Sequence, residues 1–173
     1  MNELEGEWEL VGYFHKTDEI EYDDADDGSN VTEIRAWLQG AEPTNASLEA
    51  AQPRAGLQLA IQRGAFRESV ENFSELMFDV SGVQVNDYQP MSGQLATINS
   101  VAFLVPEGVP EFARTEPAED IVVRYDDGDT LVCDSMRIVD GMLVRQTSVV
   151  TDEIYLERML LMYRRADDRH AQR

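Results

Sequence analysis

The sequence predicts an all-β fold: an antiparallel, up-and-down β-barrel of about eight to ten strands, closed between its first and last strands. Three observations predict it. From Gly56 onward the chain reads as one short strand after another. Turn dipeptides separate the strands: Arg63-Gly64, Ser81-Gly82, Asp127-Gly128, Asp140-Gly141 and Thr151-Asp152. Finally, an open meander of this length would expose unpaired edges, and closing it into a barrel removes them.

Taken in order, Leu4 to Phe14 reads as the first strand. Trp8, Leu10, Gly12 and Phe14 share one face, with Glu7, Glu9, Val11 and Tyr13 on the other. The carboxylate-rich stretch Asp18 to Asp27 reads as a solvated loop, because its oxygen ligands lack the spacing of a calcium loop. Asn30 then caps a short helix, with Glu33 completing a capping box and Gly40 ending it. Val31, Ile34, Trp37 and Leu38 give that helix an apolar side. A second short helix runs from Asn45 to Gln52 and stops at Pro53. Both are expected to act as lids between strands one and two.

Strands are then predicted over Leu57–Gln62, Ala65–Val70, Glu75–Val80 and Val83–Asn86, followed by one long run over Gln94–Val105. The last are Ile121–Tyr125, Thr130–Val139, Met142–Val150 and Ile154–Arg165. The stretch holding Pro106, Pro110 and Pro117 reads as loop, since proline donates nothing to a ladder. One domain is expected over 1–165, with 166–173 a disordered tail.

Composition bounds the function. Thirty-four acidic residues against 14 basic ones give a net charge of −20, which repels nucleic acid and anionic membranes. Neither is an expected partner. The one lysine among the basic residues, Lys16, reads as coding bias in a GC-rich bacterial genome. The acidic start, Met1-Asn2-Glu3-Leu4-Glu5, has no signal-peptide character, so a cytoplasmic location is expected. Cys133 stands alone and the two histidines, His15 and His170, lie far apart, so neither a disulfide nor a zinc site is expected. No nucleophilic triad or phosphate loop is spelled out, and no cofactor is expected.

Gly6-Glu7-Trp8 on the first strand, with Met162-Tyr163-Arg164-Arg165 on the last, resembles the calycin superfamily of lipocalins and intracellular fatty-acid-binding proteins. The resemblance implies that Trp8 closes the barrel floor and that Arg165, or else Arg164, packs across it. It also likens the two short helices to the helical lid of the fatty-acid binders. Those binders hold a carboxylate with Arg-x-Tyr on the last strand; here that position reads Leu161-Met162-Tyr163, which argues against a simple fatty-acid carrier.

Alternation along the last strand puts Glu157, Met159, Leu161 and Tyr163 on one face, so Glu157 is either an inward carboxylate or, with the parity shifted, a solvent-facing one. An inward Glu157 needs a partner or a raised pKa, and Arg145 is the candidate partner. Asn99 and Asp134 sit singly on apolar faces, where each can orient a ligand, pair within the core or face solvent.

The function expected first is a cofactor-independent cyclase resembling Diels–Alderase barrels of natural-product biosynthesis. It would fold a polyketide-like substrate for intramolecular cycloaddition, with Glu157, Tyr163 and Asn99 as catalytic groups. Phe14, Trp37, Phe103, Met136, Met159 and Leu161 would shape the cavity. The alternative is a carrier of a lipid-like ligand, and a barrel filled by its own side chains ranks third. The apolar character of both faces of the last strand leaves room for a covering helix or a homodimer.

Overall fold

A computed structural model describes residues 3–21, 29–40, 45–71, 89–98, 101–108, 111–114 and 123–167. The strands expected over 75–80 and 83–86 lie outside the described residues. The described strands are β1 (Gly6–Glu19), β2 (Gln52–Pro53), β3 (Leu57–Gln62), β4 (Ala65–Val70), β5 (Ser92–Ile98) and β6 (Val101–Pro106). They continue with β7 (Glu111–Arg114), β8 (Val123–Asp127), β9 (Thr130–Val139), β10 (Met142–Thr151) and β11 (Tyr155–Arg165). Helices α1 (Ser29–Gln39) and α2 (Asn45–Glu49) fall between β1 and β2.

Eight strands close into a ring in the order β1, β3, β4, β5, β6, β9, β10, β11, with β11 antiparallel to β1. The fold is the closed antiparallel barrel that the alternation and turns predict. The β7–β8 hairpin extends the sheet beyond β9, and β2 pairs with β1 outside the ring order.

Two strand expectations change. The long run 94–105 is two antiparallel strands, β5 and β6, with Ile98 paired to Val101. The signal for the break is Asn99-Ser100, two polar turn-favouring residues between the arms. Within the proline-bearing stretch, residues 111–114 form β7; Pro110 and Pro117 flank it, so no ladder donor is missing from the strand itself.

The first strand carries the main correction. Its register against β11 shifts between Leu10 and Gly12, a β-bulge that inserts Val11 and reverses the alternation. Trp8 and Leu10 point into the lumen and pack with the core, whereas Gly12 pairs with Met162 and Phe14 with Leu160 on the outer face. A Cβ on Gly12 would lie 3.1 Å from the Met162 methyl and 3.3 Å from the Gln52 carbonyl oxygen, so a side chain there would crowd the outer layer.

The helices are not lids over a mouth. Helix α1 packs on the outer wall of β9 and β10, where Ile34, Trp37 and Leu38 cover Phe103, Cys133, Val150 and Leu156. Leu48 in α2, followed by Ala51, covers Val144, Leu160 and Met162. This explains why β11 is apolar on both faces: one face meets the lumen and the other meets the helices. Arg158 fastens α1 by donating to the Trp37 carbonyl at 2.6 Å and lying 4.1 Å over its ring. The Trp37 indole donates to the Glu157 carbonyl at 3.0 Å.

Candidate functional site

The centre of the lumen is filled. Leu59, Leu104, Met136, Leu143 and Tyr163 are fully buried there, with Leu161 beside them. Through this layer runs a charged cluster. The Arg145 guanidinium on β10 donates from Nε to Asp134 Oδ1 at 2.8 Å and from Nη2 to Oδ2 at 2.5 Å, and from Nη1 to Glu68 Oε1. Asp134 lies on β9, next to β10, but Glu68 lies on β4, four strands away around a ring of eight. The Arg145–Glu68 pair therefore spans the barrel. Glu68 Oε2 also accepts the Met91 amide at 2.9 Å, tying in the chain just before β5.

Residues of opposite sign are forced together here by the pleat. Alternation places Arg145 on the lumen face with Leu143 and Thr147, and Asp134 with Val132 and Met136. Once sealed inside, each charge requires a partner. Burial pushes the Asp134 carboxyl above the ordinary range, opposed by Arg145. Burial pulls Arg145 down, but Asp134 and Glu68 outweigh it and leave the guanidinium well above its usual value, hence always charged. The buried Tyr163 hydroxyl has no hydrogen-bond partner among the described residues, and burial raises its pKa despite the nearby guanidinium.

Arg145 is thus committed to Asp134 and Glu68 rather than to Glu157. Glu157 keeps the lumen-facing parity, since it pairs with Val149 and Thr17, but it lies nearer the far rim and is half-buried. Its Oε2 is enclosed without a hydrogen-bond partner among the described residues. Met159 lies between Glu157 and the cluster, level with Thr147.

The residues considered from sequence fall into three sets. Tyr163, Met136, Met159 and Leu161 are brought together in the lumen, with Glu157 above them. Phe14 and Phe103 are placed on the outer wall beneath the helices and Trp37 on α1 itself, away from the lumen. Asn99 lies outside the described residues. Glu68 joins the site without a sequence motif of its own; its signal is the alternation Phe66, Glu68, Val70 on β4, one carboxylate on an otherwise apolar face.

At the end of the barrel where β1 begins, the lumen opens into a pocket of about 490 Å³. Leu4, Ile61, Leu95 and Ile138 supply its apolar wall, with Thr97 and Arg137 as polar groups. Beside it Arg165 stacks 4.4 Å over the Trp8 ring. A volume in the hundreds of Å³ with an apolar wall and a few polar groups has the character of a small-molecule site. A second, more open and acidic depression lies at the opposite rim, between Thr17, Glu21, Tyr155 and Glu157.

Fold and site together define a closed eight-stranded antiparallel barrel with a plugged, charged centre and a ligand-sized pocket at one end. This architecture is compatible with a calycin-like fold and with ligand binding. Comparison of the chain with protein-family models, curated proteins and solved structures finds no match. No described helix is long and apolar enough to cross a membrane.

Proposed function

We propose that this chain binds a small, largely apolar molecule inside its barrel. The observation that carries the reading is the pocket of about 490 Å³ at the Trp8 end, walled by Leu4, Ile61, Leu95 and Ile138. Eight-stranded barrels have room for side chains or for one small ligand. This barrel divides its length between the two, side chains at the centre and open volume at the end.

Ring closure of a bound polyketide-like substrate by conformational templating is the finer form of the proposal. A rigid barrel wall with fixed, desolvated polar groups supports it, because there a placed hydrogen bond acts most strongly. Thr97 and Arg137 are the polar groups of this pocket to test for a catalytic part, since Tyr163 lies in the filled centre and Glu157 nearer the opposite rim. The carrier form needs only retention.

The test is native mass spectrometry of freshly purified protein, followed by release and analysis of the bound molecule. A bound apolar metabolite supports the reading, and incubation with linear polyene precursors then separates the forms. Turnover to a cyclised product supports the cyclase, and unchanged release supports the carrier. Protein that arrives empty and takes up no apolar compound would sink the reading in favour of a barrel acting through its surface.

A further inference from the structure

Ahead of β1, residues 3–5 cross the same end of the barrel and line the pocket. They belong to no strand. Three successive carbonyls hold them: Arg165 Nη2 donates to Glu3 at 2.6 Å, the Trp8 indole to Leu4 at 2.8 Å, and Arg165 Nη1 to Glu5 at 2.9 Å. Every donor is a side chain of the stacked Trp8–Arg165 pair. The segment turns into β1 at Gly6, whose φ of +137° suits glycine. A Cβ there would stand 2.8 Å from Arg165 Nη1. Glycine thus lets the guanidinium reach the clasp. Leu4 is partly buried, packed on the core and facing the pocket.

We propose that residues 3–5 gate this pocket, with Leu4 as the stopper, and that the pocket admits neutral or cationic apolar molecules while refusing anions. The inference rests on the small-molecule reading above and adds its route and its selectivity. The route follows from the fastening: three side-chain hydrogen bonds can release together without breaking a strand ladder, and all other described walls of the pocket belong to the barrel and its turns. The selectivity follows from charge. Glu3 and Glu5 stand in the pocket lining, the Arg165 guanidinium is spent on backbone carbonyls, and the chain as a whole carries −20. Among the described residues that line the pocket, one is cationic, Arg137, and two are acidic, Glu3 and Glu5.

Two fluorophores sharing one aromatic body test this in the full-length protein: neutral N-phenylnaphthylamine and its sulfonated counterpart, anilinonaphthalene sulfonate. The neutral probe should bind at least about tenfold more tightly at low ionic strength, narrowing with salt. Thr97→Trp, which fills the pocket from an exposed position, should abolish neutral-probe binding while circular dichroism stays unchanged. Leu4→Trp fills the same space if that variant misfolds. Leu4→Gly should speed probe dissociation by about fivefold or more. Equal binding of both probes, or unchanged exchange in Leu4→Gly, would overturn the inference and leave the small-molecule reading standing. Neutral-probe binding that survives a folded pocket-filling variant would overturn both, since both rest on this pocket. Wild-type protein that binds neither probe nor any extracted apolar compound would overturn both.

Discussion

Replacing Arg145 by methionine is the sharpest perturbation of this barrel. The side chain is fully buried, and its guanidinium is the shared cation between Asp134 and Glu68. Methionine keeps most of the volume, so the loss is chiefly electrostatic. Removing one partner from a buried ion pair costs about 3–5 kcal/mol, because the remaining charge is left in a low-dielectric interior. Here Asp134 and Glu68 both lose their shared cation, and Asp134 relieves the cost by taking up a proton. In the wild type burial already raises the Asp134 pKa, opposed by Arg145; without Arg145 the Asp134 carboxyl should rise further. A carboxyl raised in the folded state contributes stability that is fully present below its unfolded value, near 4, and is lost as pH rises through the folded value. The variant should therefore be weakest near neutral pH and recover on mild acidification. Urea unfolding followed by tryptophan fluorescence at pH 7 and pH 5 reads both quantities. The expected loss at pH 7 corresponds to a Tm drop of roughly 6–20 °C for a chain of this size. Replacing all three residues by apolar ones of similar volume should recover most of the loss. Arg145→Met within about 1 kcal/mol of wild type at pH 7, with no difference between the two pH values, would refute the account of the cluster as a sealed, mutually dependent set.

Three further outcomes follow from the same packing. Gly93→Ala should destabilise by about 3 kcal/mol or more in thermal unfolding, because its Cβ would stand 2.1 Å from the Val105 carbonyl oxygen and 2.8 Å from Pro106 Cα, both backbone atoms. Tyr163→Phe should be neutral or slightly stabilising in urea unfolding, within about 1 kcal/mol, since the buried hydroxyl satisfies no partner among the described residues; a large loss would mean that the hydroxyl is bonded. Cys133, buried under α1 with its pKa pushed by burial up to about 12, should resist thiol reagents at pH 8 in native protein and react at once in urea. The same shift means that its contribution to stability is present below pH 9 and declines as the pH rises toward 12.

How far the site was legible in the sequence depends on whether a local period decided it. Strands β3, β4 and β9 were readable to the residue, because alternation and a glycine turn bound each of them. The inward set Met159, Leu161 and Tyr163 follows from period two on a strand without a bulge. Phe14 did not follow, because one inserted residue at Val11 reverses every side chain after it, and the bulge appears only when β1 is registered against β11. The β5–β6 hairpin was legible only in the polar pair Asn99-Ser100, which, without a glycine, reads equally as ordinary alternation within one strand.

What the sequence by itself determined is the fold class and the antiparallel meander, because each rests on alternation and turn chemistry within a few neighbouring residues, and closure followed from the edges that an open meander would expose. The side of the wall on which the helices lie was decided only by tertiary structure. An amphipathic helix states that it covers something apolar, and the outer face of β9, β10 and β11 serves as well as a mouth. The partners of Arg145 were likewise beyond local reading: Glu68 is 77 residues away in sequence. Only closure of the ring, which sets β4 opposite β10, brings the two charges into one buried contact.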